Sequence, residues 1–341
     1  MKKPTDFAYY LTKFLTNHLP AVIGGSPNTI FAYRDSFVLL IRYCSEVKGI
    51  DAQNLKISKF SRELIEGFLN WLEKGRGCSV STRNHRLAAI HSFFKYMQLE
   101  EPTQLHLYQQ ILAIPRKRIA APLISYLSKD GIEALLKAPD AKTLSGRRDM
   151  VLLSLLYDSG ARTQEIADLR VSDLRLATPS TVKLTGKGRK GRIVPLMKPT
   201  AELLQQYFME QSLEHPSKSD YPLFPNRSGQ KLTRFGIRYI LSKYVKQVKT
   251  TCPGLLPEKV FPHSIRHSRA VHLLQDGVEI VYIRDLLGHS SIEVTEVYAK
   301  TDSLMKRKAL EAAYAKGTLT PNLPSWQQDS DLLAWLRNFG K

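Results

Sequence analysis

Apolar residues recur at helical spacing through the first part of the chain, with polar breaks between the runs. In "PTDFAYYLTKFLTNHL" the apolar positions are Phe7, Tyr10, Leu11, Phe14 and Leu15, the i, i+3, i+4 pattern of a helix that buries one face. After "GGSPN", the run "TIFAYRDSFVLLIRYCSEV" places Ile30, Tyr33, Phe37, Leu40 and Ile41 on one side. "SRELIEGFLNWLEKG" opens with Ser61 as an N-cap and closes at Gly75, the usual start and stop residues of a helix. "SVSTRNHRLAAIHSFFKYMQLE" continues the period through Leu87, Ile90, Phe94 and Met97. Four amphipathic helices joined by short polar turns predict a small bundle. Arg83, Asn84 and Arg86 crowd the start of the fourth helix; such a cluster is either a solvated face or a surface that meets DNA.

The pattern breaks at "AIPRKRIAAPLISYLSKDG", where prolines flank Arg116, Lys117 and Arg118. Prolines hold such a segment extended and its charge suits a phosphate backbone, so it is expected to be a basic linker. Helical patterning resumes in "SKDGIEALLKAP" and "SGRRDMVLLSLLYDSGA". "TVKLTGKGRKGRIVPL" changes period: Val182 and Leu184 alternate with Thr181 and Lys183, a Gly- and Lys-rich turn follows, and "RIVPL" returns. That is a hairpin signal. The remainder is helical, so the fold class is mostly α with a small antiparallel β-sheet. The expected organisation is a helical DNA-clamp domain over 1–113, a basic linker over 114–126, a catalytic domain over 127–316 and a tail helix over 317–341.

Composition narrows the partner. The 341 residues carry 50 Lys and Arg against 31 Asp and Glu, a formal charge of +19, with +5 on residues 1–115 and +14 on the rest. That excess attracts a polyanion, and its spread over both parts favours a clamp over a single docking face. No apolar run approaches the roughly 20 residues of a spanning helix, and "MKKPTDFAYY" lacks a signal peptide's apolar core. These features predict a cytoplasmic protein that does not engage a membrane. Cys44, Cys78 and Cys252 are odd in number and lack CxxC spacing, which fits reduced thiols better than a disulfide frame or zinc site.

The chemistry-bearing residues fall late in the chain. "YDSGARTQEIADLR" puts Arg162 after a Gly turn at the start of a helix, with Glu165 at i+3, within reach along the helix face. "VFPHSIRHSRAVHLLQDG" sets His263 and Arg266 on one helical face, and "LLGHSS" puts His289 just past a helix ending at Gly288. Lys187 lies in the hairpin turn and Tyr298 in "TEVYAK". Together these side chains suit phosphoryl transfer without metal. Two guanidiniums clamp non-bridging oxygens. A histidine donates a hydrogen bond or accepts the attacking proton, a lysine protonates the leaving alkoxide, and a tyrosine attacks phosphorus. No P-loop spacing and no tight carboxylate cluster occur in the sequence, so neither ATP nor a metal or other cofactor is expected.

"GARTQEI", "TGKGRKGRIVPL", "HSIRHSRAVHLL" and "LLGHSSIEVTEVY" resemble the motifs of the tyrosine recombinases, or phage-type integrases, especially their Xer-like bacterial branch. The specific motifs span roughly residues 120–300, and the N-terminal bundle is similar to the family's SAM-like core-binding domain in layout. The resemblance implies catalytic roles for Arg162, Lys187, His263, Arg266, His289 and the nucleophile Tyr298, with Glu165 in support. Arg189 and Lys190, beside Lys187, become DNA contacts, and spacing leaves Lys190 open as the general acid. It further implies cleavage through a 3′-phosphotyrosyl bond and a Holliday junction, on double-stranded DNA at specific recombination sites, by a homotetramer on two duplexes. Accessory DNA-bending proteins are further partners of such an assembly, and the setting is a mobile element or dimer resolution. Leu332, Leu333, Trp335, Leu336 and Phe339 form an apolar stripe in the tail; it packs on its own domain or docks into a neighbouring protomer. Two other readings explain the charge. A helix-turn-helix regulator would use "VHLLQDGVEIVYIRDLLGH" but leave Arg162, Lys187 and Tyr298 idle. A type IB topoisomerase-like enzyme would nick and close without strand exchange.

Overall fold

The computed structural model describes residues 4–119, 125–186, 191–289, 291–292, 295–296 and 330–339. The chain divides into two compact units, Met1–Pro122 and Leu123–Lys341.

The first unit is built from α1 (Asp6–Lys13), α2 (Pro27–Lys48), α3 (Arg62–Asn70), α4 (Val80–Glu100) and α5 (Leu105–Leu112). Capping sets the starts. Thr5, Ser26, Ser61 and Ser79 each accept a hydrogen bond from a first-turn backbone N–H, satisfying donors that a helix leaves open. Gly49, at φ 66°, ends α2, a left-handed conformation that costs glycine little. Phe7, Phe14, Phe37, Phe60, Phe93 and Phe94 fill the centre. The Phe7 and Phe60 ring centroids lie 4.8 Å apart, and those of Phe37 and Phe93 5.2 Å. Helix α5 has no counterpart in the sequence reading; at two turns, with only Tyr108 and Ile111 buried, its period is too short to stand out.

The basic cluster on α4 has internal partners. Arg83 is only 6% exposed and donates from Nη1 to the Pro115 carbonyl and to Asn84 Oδ1. Asn84 donates to the Lys117 carbonyl and accepts the Lys117 N–H. Arg86 donates to the Ala32 carbonyl and Ser36 Oγ on α2. These side chains therefore hold α4 to α2 and to the start of the basic segment. Of that segment, Arg116, Lys117 and Arg118 are exposed, and Lys117 pairs with Glu73 at 2.6 Å.

The second unit comprises α6 (Lys129–Lys137), α7 (Leu144–Asp158), α8 (Thr163–Ala167), α9 (Lys198–Glu210), α10 (Arg234–Thr251), α11 (Pro262–Gln275), α12 (Ile280–Leu287) and α13 (Ser330–Asn338). Its antiparallel sheet runs β1 (Leu174–Arg175), β2 (Thr181–Thr185), β3 (Gly191–Pro195), in that order. The hairpin is the one the alternation predicts, with Val182 opposite Val194 and Leu184 opposite Arg192. Strand β1 is too short to carry a pattern of its own. Helix α7 is the central element; Val151, Leu152, Leu153, Leu155 and Leu156 are all buried. On α13, Trp335, Leu336 and Phe339 are exposed, with the Trp335 and Phe339 rings 4.8 Å apart. No helix among the described residues is long and apolar enough to cross a membrane.

Candidate active site

The site is organised by the C-terminal end of α12. A helix leaves its last carbonyls without intrahelical donors and carries the negative end of its dipole there. Three successive carbonyls at this end each accept from a different arginine. Leu286 O accepts from Arg192 Nε at 2.8 Å, Leu287 O from Arg266 Nη2 at 2.6 Å, and Gly288 O from Arg162 Nη2 at 3.1 Å. The arginines come from β3, from α11 and from the N-cap of α8. Gly288, at φ 64°, turns the chain out of the helix and delivers His289 directly beyond these bonds.

Arg266 is 1% exposed and also donates from Nη1 to Gly160 O at 2.7 Å. Gly160 is the turn after α7, at φ 56°. A Cβ there would stand 2.7 Å from Leu287 Cδ2, so glycine allows both the turn and the close approach of α12. The carbonyls of residues 160 and 287 thus hold the Arg266 guanidinium from two sides. Arg162 follows the same turn. Its side chain bonds Glu165 Oε1 at 2.9 Å, and its backbone N–H bonds Glu165 Oε2 at 2.8 Å.

Glu165 is 4% exposed. Burial by itself would raise its carboxyl, but bonds from Arg192, from the Arg162 N–H and from the Arg162 side chain outweigh that and hold it at about 2. It is therefore ionised across the physiological range. Arg192 spans it with two bonds, Nη1 to Oε1 at 2.9 Å and Nη2 to Oε2 at 2.8 Å. Beneath the site, Arg269 on α11 holds the end of α7 through Asp158, Nη2 to Oδ1 at 3.0 Å. Asp158 Oδ2 accepts the Met197 N–H at 2.8 Å.

The histidines feel this concentration of positive charge. His263 is pushed below its usual range by desolvation first, then by Arg266 and Arg162. His289 is pushed down to about 4 by burial, with Arg266, Arg162, His263 and His267 adding to it. The two arginines and two histidines selected from sequence therefore share one electrostatic environment. His289 Nδ1 pairs with Thr295 Oγ1 at 2.9 Å, and Thr295 is fully buried. The His263 and His267 rings meet edge to face at 4.3 Å between centroids, and His267 is pushed down to about 4, chiefly by burial.

Lys187, Arg189, Lys190 and Tyr298 lie outside the described residues. The strands that flank the first three end at Thr185 and begin again at Gly191. No group of three or more His, Cys, Asp or Glu side chains among the described residues is arranged to hold a metal ion.

Residues 12–101 match the phage integrase N-terminal SAM-like domain, and residues 125–304 match the Phage integrase family. The chain belongs to the phage integrase family. It is an enzyme of the tyrosine class of site-specific DNA recombinases. It is 36% identical over 340 residues to the putative integrase/recombinase y4rC of Sinorhizobium fredii, covering 99% of this chain and all of that protein. To tyrosine recombinase XerC of Thermodesulfovibrio yellowstonii it is 31% identical over 303 residues, 87% of this chain and 93% of the relative. The fold is similar to that of XerH site-specific recombinase bound to difH substrate in a pre-cleavage complex, with a TM-score of 0.63 at 25% identity over 88% of this chain and 83% of that one. It is also similar to the Tn1549 transposon integrase in complex with transposon right end DNA, with a TM-score of 0.68 at 16% identity over 89% of this chain and 99% of that one.

Three residues of the candidate site escaped the motif reading. Arg192 had a usable signal: strand alternation puts it on the same face as Val194, and that face is the buried one. Arg269 follows Arg266 at i+3 and so lies near it on α11. Thr295 carried no signal, because a threonine six residues after His289 has no spacing that marks it as its partner.

Proposed function

We propose that this enzyme cuts and rejoins double-stranded DNA at its recombination sites through a 3′-phosphotyrosyl intermediate on Tyr298. The Tyr298 oxygen attacks the scissile phosphorus; the new O–P bond forms as the bond from phosphorus to the 5′-oxygen breaks. His263, neutral near pH 7, takes the phenolic proton, and Lys187 donates a proton to the departing 5′-oxygen. Arg162 and Arg266 neutralise the non-bridging oxygens, and His289 hydrogen-bonds one of them. The phosphodiester's charge is unchanged, so a 5′-hydroxyl from a partner strand reverses the step without an external energy source. Paired exchanges by four copies on two duplexes pass through a Holliday junction. The +19 charge supplies the long-range attraction, with Arg116, Lys117, Arg118, Arg189 and Lys190 along the phosphate path.

The observation that carries this reading is the docking of Arg162 and Arg266 on the adjacent carbonyls of Gly288 and Leu287. It brings two guanidiniums together immediately before His289, in the segment that leads to Tyr298. A nicked suicide DNA carrying the enzyme's own site tests it. The wild type traps a covalent adduct on a denaturing gel, and Tyr298→Phe binds the DNA but traps none. An adduct with Tyr298→Phe would show that another residue is the nucleophile.

A further inference from the structure

Glu165 makes four charge-assisted bonds, and the catalytic roles above do not account for them. Each oxygen accepts once from Arg162 and once from Arg192. A buried carboxylate facing Arg162 alone would pair with it and screen its charge from any phosphate. Arg192 changes that balance. It takes both oxygens with two guanidinium nitrogens in the fork geometry that suits a carboxylate. Arg162 is left with a single side-chain bond to Glu165, while its Nη2 goes to Gly288 O. Arg192 is only 13% exposed along its side chain, and among the described residues its one other bond caps Leu286 O. It also sits at the start of β3, five residues beyond Lys187 in the chain.

We propose that Arg192 is a positioning residue for DNA cleavage: it neutralises Glu165 so that Arg162 keeps its charge for the scissile phosphate, and its bond to Leu286 O ties the β2–β3 hairpin to the helix end that precedes His289. This rests on the assignment of Arg162 to the phosphate. The role is electrostatic in one part and mechanical in the other, and the two respond differently to substitution. Removing Arg192 leaves Glu165 with Arg162 as its bonded cation among the described residues. Removing the charge of Glu165 as well should restore part of the lost rate, although it restores no bond to the hairpin.

The test is single-turnover adduct formation by the full chain on the suicide substrate. The wild type, Arg192→Met, Glu165→Gln and the double variant are compared, with DNA affinity measured separately in the Tyr298→Phe background. Arg192→Met should slow adduct formation on the order of 100-fold, the scale of losing one preorganised electrostatic group, with little change in affinity. The double variant should be faster than Arg192→Met by about 10-fold, a coupling of the size found within one charge network. A double variant no faster than Arg192→Met would overturn the proposal, as would a loss confined to DNA affinity. If thermal melting shows that Arg192→Met does not fold, Arg192→Gln and Arg192→Gln with Glu165→Gln make the same comparison, since glutamine loses the charge but keeps a side-chain hydrogen-bond donor. Failure of the wild type to trap an adduct would count against the phosphotyrosyl mechanism itself and is seen before any Arg192 variant is read.

Discussion

The two units bury different things. The first has a core of rings and aliphatic chains, and among its described residues the buried polar ones are Ser36 and Arg83. The second buries Asp149, Asp158, Glu165, Arg266, Ser264, Ser268 and His272 among its apolar side chains. Burying an apolar ring stabilises by about 1.5–3 kcal/mol and asks little of its neighbours beyond shape. Burying a charge costs several kcal/mol unless each polar atom finds a partner. The second unit accepts that cost around one helix end, where three arginines, one carboxylate and three carbonyls satisfy one another. The difference separates a unit whose interior is set by shape from one whose interior also holds charge, which the proposed mechanism uses at the phosphate.

The sharpest way to break that comparison is Arg266→Ala. It removes a guanidinium from the proposed phosphate site and leaves the carbonyls of Gly160 and Leu287 without this donor. Adduct formation should fall on the order of 100- to 1,000-fold, and the melting temperature of the catalytic unit should fall with it. A variant that melts early but cleaves normally once bound would remove Arg266 from the chemistry. The converse probe is Phe93→Ala. Phe93 is fully buried, with Phe7, Phe14, Phe37 and Phe94 around it. The loss should be about 3–5 kcal/mol of stability, seen by calorimetry in the first unit's transition. The rate of adduct formation on saturating DNA should change little.

Acid should separate the units further. In an unfolded chain the histidines bind protons as pH falls below about 6.5; in the folded catalytic unit His267 and His289 resist until about 4. Their contribution to stability is therefore complete above 6.5 and declines as pH falls toward 4. Glu165 acts in a lower window: its folded value of about 2 against an ordinary 4.5 gives stability that is full above 4.5 and is lost toward 2. That contribution is on the order of 3 kcal/mol. The catalytic unit's calorimetric transition should thus fall on acidification from pH 7, and Glu165→Gln should flatten the fall below 4.5. A flat profile between 6.5 and 4 would contradict the burial of those histidines. The smallest effect is expected from Gly160→Ala, about 1–2 kcal/mol for a left-handed residue with a Cβ. Because the clash would be with the end of the Leu287 side chain, Gly160→Ala with Leu287→Ala should relieve the contact but keep the backbone cost.

Much of this was legible in the sequence. Period marked α1 to α4, with a cap read for α3 alone, alternation marked β2 and β3, and the motifs marked Arg162, Glu165, His263, Arg266 and His289. Helix α5 and strand β1 were not legible because two turns and two residues hold too little period to detect. For Arg83, Asn84 and Arg86 the sequence left a solvated face and a DNA-meeting surface both open, and charge composition cannot announce the bonds to the Pro115 and Ala32 carbonyls.

By itself, then, the order of residues determined α1 to α4, the hairpin and the side chains assigned to the proposed chemistry. These depend on local spacing, which a linear pattern records. Only the tertiary structure decided that Arg162, Arg192 and Arg266, from three separate elements, end on the successive carbonyls of residues 286, 287 and 288. Their partners are backbone atoms, which every residue possesses and no side-chain pattern can announce. Where a backbone carbonyl stands is settled by how the helices pack.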